Sequence, residues 1–285
     1  MRVLCGTDFS PASIDAATIA ALWAARTGGT LHLIHAVPRT SGLDDVRERL
    51  RLEAGRLMAL GAQVPSLDLV AGAASEVLVE EAIARQADLI VVGARGEQGR
   101  GGHRAGTTAD RVARDAPVPV LAVRESGRLE QWLRGQGELE VVVGYERGTS
   151  AEGALRWVAD LTRLGGVHPT ALHLVLPGPE NRAVHAAGAG AGLTLSPKAR
   201  AELTEELRAA VAPVFGDTPV SLVVREALGR KDVPLVLESQ ARRADILVIG
   251  SHQRKGFQRW WAGSVSSGVL HAAETSVTVV PSPDG

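Results

Sequence analysis

A chain of 285 residues is about twice the common domain length, so two cores and an internal duplication are the first expectation. Hydrophobic residues at 45% and charged residues at 22% exclude a wholly disordered, collagen-like or disulfide-rich protein, and a net charge of −1 supplies no global field for nucleic acid or an anionic membrane. The one cysteine, Cys5, excludes an internal disulfide or a cysteine-cluster metal site, and with no signal-like or membrane-length apolar run the expected location is cytoplasmic.

The chain opens with a short apolar run, Arg2 to Gly6, then Ser10-Pro11 and helical spacing through Ile14, Ala17, Ala21 and Ala24, which predicts strand, loop and helix. A second strand runs from Leu31 to Val37 and a second helix from Asp44 to Leu60. Leu67–Val70, Ser75–Arg85, Asp88–Gly93, Thr107–Asp115 and Val118–Val123 continue the alternation, for five strands and four helices. Near-continuous apolar strands such as Leu89 to Val92, separated by helices, indicate a parallel sheet covered on both faces.

The order then restarts. Glu138 to Gly144 opens like residues 2–6, Thr170 to Val175 echoes Thr30 to His35, and Ala244 to Gly250 repeats Ala87 to Gly93 almost letter for letter. The offset is 138 between Gly6 and Gly144 but 157 between Gly93 and Gly250, which places about 19 extra residues in the stretch from Pro177 to Leu195. The Gly188 to Gly192 run there neither follows a strand nor has dinucleotide-fingerprint spacing and reads as a flexible loop. The division expected is a first domain over 1–125, a linker over 126–137 with one helical turn and Trp132 packed between domains, and a second domain over 138–285. The fold class is α/β, with two tandem doubly wound five-stranded parallel sheets.

In an open parallel sheet, ligands bind beyond the carboxyl ends of the strands, where strand order reverses. Asp8, Val37 and the segment Gly93-Ala94-Arg95-Gly96 all lie at such ends. Nine residues beyond Gly96 stand Gly106, Thr107 and Thr108 at a helix start. Glycines let backbone amides approach a ligand, and threonine hydroxyls sit beside a helix N-terminus, so the pattern reads as a phosphate cradle with Arg100, His103 and Arg104 in its loop. The bland reading of the same residues is turn glycines, with Asp8 a turn residue and Ser10 or Ser13 a helix cap. No Walker motif is present.

Gly93-x2-Gly96-x9-Gly106-Thr107 after Asp88 to Val92, together with Gly6-Thr7-Asp8-x-Ser10-x2-Ser13, closely resembles the ATP-binding class of universal stress proteins, as two consecutive copies. The resemblance implies the adenine nucleotide alpha hydrolase-like fold with strand order 3-2-1-4-5. It also implies ATP, with or without Mg2+, held by Thr7, Asp8, the backbone of Val37, and Gly93, Arg95, Gly96, Gly106, Thr107 and Thr108. In such proteins the last strand makes a two-fold dimer. Here Val118–Val123 and Val277–Val280 are the expected replacements, pairing the halves as an intramolecular pseudo-dimer, with neither nucleic acid nor membrane as a partner.

The second copy departs from the motif. Glu146 stands where Asp8 does, and Gln253 replaces the middle glycine. Gly250, Gly263, Ser264 and Val265 remain, and Arg254, Lys255, Arg259 and Trp260-Trp261 populate the loop. Binding is therefore expected in the first half and weaker or absent in the second. His32 and His35, three apart on a strand, point to opposite faces and make a poor metal pair. His168, His185 and His271 show no acidic neighbour at ligand spacing. No catalytic residue, nucleophile elbow or fixed general base is legible. The expected function is ATP-dependent stress response or signalling through conformation. The alternatives are a nucleotide-free pseudo-dimeric scaffold or adaptor and, behind both, a slow ATPase.

Overall fold

The computed structural model describes all residues except 38–42, 96–105, 147–148, 176–181, 184–193, 228–229, 252–263 and 283–285. The first half runs β1 (Arg2–Gly6), α1 (Pro11–Arg26), β2 (Thr30–Val37), α2 (Asp44–Met58), β3 (Gln63–Ala71), α3 (Ala74–Ala84), β4 (Leu89–Gly93), α4 (Thr107–Asp115) and β5 (Val120–Val123). A connecting helix, α5 (Gly127–Leu133), leads into β6 (Leu139–Tyr145), α6 (Thr149–Thr162) and β7 (Val167–Val175). Two short strands, β8 (Arg182–Ala183) and β9 (Thr194–Leu195), precede α7 (Pro197–Phe215), β10 (Ser221–Glu226), α8 (Asp232–Ala241), β11 (Ile246–Ser251), α9 (Ser264–Ala272) and β12 (Ser276–Pro281).

Ten strands form one sheet in the order β10-β7-β6-β11-β12-β5-β4-β1-β2-β3. Each half is a parallel unit of order 3-2-1-4-5, and the units meet where β5 and β12 run antiparallel, Val277 opposite Ala122 and Val279 opposite Val120. The helices lie in two layers because successive strand residues face opposite sides. Val3 and Cys5 belong to a core shared with α1, α2, α5, α6 and α7, whereas Leu4 belongs to a second core with α3, α4, α8 and α9. Both cores draw residues from both halves, so hydrophobic burial crosses the seam as the sheet does.

Trp132 of α5 is buried against that seam. Its indole N–H donates to the Gly166 carbonyl at 2.9 Å, and Trp23 of α1 meets its edge at a centroid distance of 6.1 Å. Trp157 of α6 stacks on Trp23 at a centroid distance of 6.0 Å. The Arg26 guanidinium, at the end of α1, donates to the Leu164 carbonyl across the same boundary.

Two sequence expectations need correction, the linker turn and the register of the second strand. The linker turn is a seven-residue helix. The extra segment of the second half also carries β8 and β9, which pair antiparallel near its ends, while the Gly188 to Gly192 run, expected as a flexible loop, lies outside the described residues. The echo of Thr30 in Thr170 is two residues out of step with the sheet. Gly6 pairs with Ile34 and Gly144 with Leu172, so the structural counterpart of His35 is His173. A two-residue slip preserves the in-out alternation of a strand, so hydrophobic pattern alone could not detect it.

Candidate functional site

The strand order reverses between β1 and β4, which are hydrogen-bonded neighbours, with Cys5 opposite Val91. From their ends the chain leaves to opposite faces, through α1 and through α4, and this divergence opens a crevice. Thr7, Asp8 and Arg95 stand at its mouth.

The β1 end is built by short-range hydrogen bonds. Ser10 caps α1 by accepting from the Ser13 amide at 3.3 Å, and Pro11 occupies the first helical turn, where its missing N–H costs nothing. The Thr7 hydroxyl is buried, lies 3.2 Å from the Ser13 hydroxyl and accepts from the Phe9 amide at 3.1 Å. Asp8 is exposed and accepts from the Ser10 amide at 3.0 Å through Oδ1, as an Asx turn does. The turn-and-cap reading of Asp8, Ser10 and Ser13 is therefore correct as a description of this turn.

The same turn holds Phe9 at φ 60°, a left-handed conformation unfavourable for an aromatic residue. Two contacts hold it there. The Phe9 ring lies against His35 at a centroid distance of 4.8 Å, and Arg49 of α2 sits 4.4 Å from the ring centroid. His35 Nδ1 is 2.7 Å from the Thr7 carbonyl, which can only accept, so Nδ1 carries the proton. Phe9, His35 and Arg49 were absent from the sequence reading of the site. The only sequence signal was a histidine at the end of β2.

At the β4 end, Ala94 donates to the Val123 carbonyl and accepts from the Gly106 amide, both at 2.8 Å. Gly106 is the N-cap of α4, in extended conformation, and no side chain caps the helix. Among the described residues no capping side chain is seen for the first-turn amides of Thr107, Thr108 and Ala109, which also have no intrahelical acceptor, the condition under which a helix start attracts an anion. Gly96 and the loop residues Arg100, His103 and Arg104 lie outside the described residues, as do Gln253, Arg254, Lys255, Arg259, Trp260, Trp261 and Gly263 of the second copy. The Val37 side chain is buried and its carbonyl accepts from Gly72 at 3.0 Å, so its backbone lies at the end of the β2–β3 ladder.

Gly93 has a reason to be glycine that the motif reading did not include. A Cβ there would lie 2.8 Å from the Ala12 carbonyl carbon and 2.9 Å from its oxygen, inside the first turn of α1. Its counterpart Gly250 would place a Cβ 2.3 Å from the Ser150 oxygen in α6. Both halves therefore need the glycine for helix-on-strand packing, which accounts for a glycine at this position in the second copy although Gln253 replaces the middle glycine there.

In the second half Tyr145 stands where Thr7 does, and its ring meets buried His173 at 5.2 Å. Glu146, the counterpart of Asp8, is ion-paired with Lys231 at the start of α8. His168, read as lacking an acidic neighbour, pairs with Glu138 at 2.6 Å on the adjacent strand end, a partner distant in sequence. Among the described residues no group of three His, Cys, Asp or Glu side chains is placed to hold a metal ion, and no helix is long and apolar enough to cross a membrane.

A model of the universal stress protein family matches residues 1–124 and 140–281. A universal stress protein of Mycobacterium tuberculosis is 28% identical over 205 residues, 69% of this chain and 63% of that protein. The chain thus spans less than two thirds of that relative's length. A universal stress protein of Thermus aquaticus is 33% identical over 133 residues, 43% of this chain and 97% of its own. Among solved structures, a universal stress protein of Archaeoglobus fulgidus superposes with a TM-score of 0.71 at 17% identity and 98% coverage of both chains. That likeness concerns the fold.

Proposed function

The chain belongs to the universal stress protein family, and from that premise we propose that its first half binds an adenine nucleotide, ATP with or without Mg2+, and that occupancy changes a surface read by a protein partner in stress response or signalling. The observation that carries this reading is the start of α4, without a side-chain cap, standing across the β1–β4 crevice from the exposed Asp8 turn. In it, Thr107 and Thr108 meet phosphates, Asp8 faces the nucleoside, and the backbone of Val37 meets the base. Thr7 keeps the turn in shape, Arg95 offsets phosphate charge, and Gly93, Gly96 and Gly106 keep the backbone close.

The division into domains 1–125 and 138–285, joined by 126–137, belongs to the same proposal, as does the role of the β5–β12 seam as an intramolecular pseudo-dimer interface. The second half binds more weakly or not at all. Two of its features support this: the Tyr145–His173 ring pair fills the position of Thr7, and Lys231 engages the acid. No residue is given a catalytic role.

One observation favours a second reading, a nucleotide-free scaffold: helix packing alone explains Gly93 and Gly250. The purified full chain decides between them. Under the first reading, denatured protein releases adenine nucleotide or the apo chain titrates with ATP to saturation at one site, and Asp8→Ala weakens that binding. Absence of both release and titration leaves the scaffold.

A further inference from the structure

Among the described residues, the other half-buried arginines have acidic partners. Arg85 pairs with Asp68 and Glu81, Arg200 with Glu226, and Arg242 with Glu238. Arg124, immediately after β5, does not. Its Nη2 donates to the Leu270 carbonyl near the end of α9, and its backbone amide donates to the Ser276 hydroxyl at 3.1 Å. Its Nη1 is wholly buried with no hydrogen-bond partner. Removing a guanidinium from water without a counter-charge is costly, and an orphaned N–H group adds to that cost. The charged neighbour that matters most is of the same sign: desolvation first, and then Arg95, push the Arg124 guanidinium down to about 10.

Three features locate what is missing. Arg124 follows Val123, whose carbonyl receives the Ala94 amide, so Arg124 and Arg95 leave the ends of adjacent strands together. The uncapped start of α4 belongs to the same strand end, because the Gly106 amide bonds to Ala94. The second half lacks the arrangement: Val280 occupies the register position of Val123, opposite Gly250 as Val123 is opposite Gly93, and the next residue is Pro281. Among the described residues the orphaned cation thus occurs only beside the crevice of the first half.

We propose that Arg124 and Arg95 form an anion subsite at the seam between the halves and that it takes a phosphate group. The planar fork of Arg124, with one arm already fixed on α9, suits a phosphate oxygen, and a second guanidinium and a helix start nearby favour a dianion over a carboxylate. Resting on the nucleotide reading, the subsite takes the distal phosphates of ATP, and through Leu270 it ties that occupancy to the second half. Free inorganic phosphate offers the same chemistry.

Full-length wild type, Arg124→Gln and Arg124→Lys are titrated with ATP and with AMP, and their melting is compared with and without inorganic phosphate at constant ionic strength. For a nucleotide tail, Arg124→Gln weakens ATP binding by about tenfold or more, the loss of one charge-assisted contact, leaves AMP within about twofold, and Arg124→Lys falls between. For free phosphate, the anion raises the melting temperature of wild type and of Arg124→Lys but not of Arg124→Gln. The proposal is overturned if Arg124→Gln matches wild type in both arms, or if wild type responds to neither ATP nor phosphate. Failure of wild type to bind either nucleotide removes the functional reading alone, and the phosphate arm then decides the subsite.

Discussion

Adding one methyl group at Gly93 or Gly250 separates packing from ligand contact. At Gly250 the new Cβ would lie 2.3 Å from the Ser150 oxygen and 2.6 Å from its carbonyl carbon. Ordinary van der Waals contact requires about one ångström more, and the obstructing atoms are backbone in the first turn of α6, which cannot rotate away. At Gly93 the shortest contact would be 2.8 Å, again to helix backbone. Inserting one methylene-sized group into such a contact costs about 1–3 kcal/mol, with Gly250→Ala at the upper end. In a chain of this size each kcal/mol lowers Tm by about 2–4 °C. Calorimetry of the two variants therefore gives Gly250→Ala the larger drop, although its half is the one expected not to bind nucleotide. A Gly250→Ala protein that melts with wild type would refute the packing argument and return both glycines to a purely ligand-facing role.

Truncating the buried seam residue, Trp132→Ala, removes the indole contact with Trp23 and the bond to Gly166, for an expected loss of about 3–5 kcal/mol in urea unfolding; a loss below about 1 kcal/mol would mean that α5 is not part of the core. Proton NMR should show His168 titrating above its ordinary 6.5, because of its bond to Glu138, and His32 below it, because of burial and then Arg85. The signs oppose: the His168 contribution to stability is complete below 6.5 and fades as pH rises through its higher folded value, whereas protonation of His32 destabilises the fold as pH falls from 6.5 toward its lower one. Histidines that titrate in the reverse order would contradict both partner assignments. Cys5 is wholly buried in β1, and burial raises its thiol well above the ordinary range. An aromatic disulfide reagent should therefore label it only after unfolding, and rapid labelling of the native chain would show that β1 opens.

Much of this architecture was legible because it is written twice. Ala87 to Gly93 and Ala244 to Gly250 are nearly the same words, each a buried parallel strand with an aspartate at its start whose carboxylate accepts a backbone amide from the neighbouring strand. Asp8, Ser10 and Ser13 could be read because the hydrogen bonds that shape their turn join residues at most six apart. What sequence could not supply is pairing between distant residues. The left-handed Phe9 depends on His35 and Arg49 from two other elements. The ion pair of Glu146 with Lys231 spans 85 residues, and the contact of Arg124 with Leu270 spans 146. Gly93 was legible as a glycine, but its reason was not, since the obstacle is the backbone of α1 folded over the strand end.

The divergence of the halves follows from these long-range pairings. In the first, Ala73 caps α3 and offers no charge, so no cation from that helix start competes for the turn that carries Asp8. In the second, Lys231 occupies the equivalent helix start and neutralises Glu146, while Tyr145 and His173 bring two rings to the strand ends that Thr7 and His35 occupy in the first. An ion pair with this exposure contributes little to stability; its larger effect is to alter the charge at that strand end. Arg124 carries the asymmetry across the seam. It extends from the half with the intact turn to the α9 carbonyl of the other, and Pro281 cannot return the contact because proline has neither a charge nor an amide proton. If the proposed subsite is filled, a fold assembled from two like units becomes directional: the anion in the first half acts on α9 through Arg124, and among the described residues the second half shows no matching contact on α4.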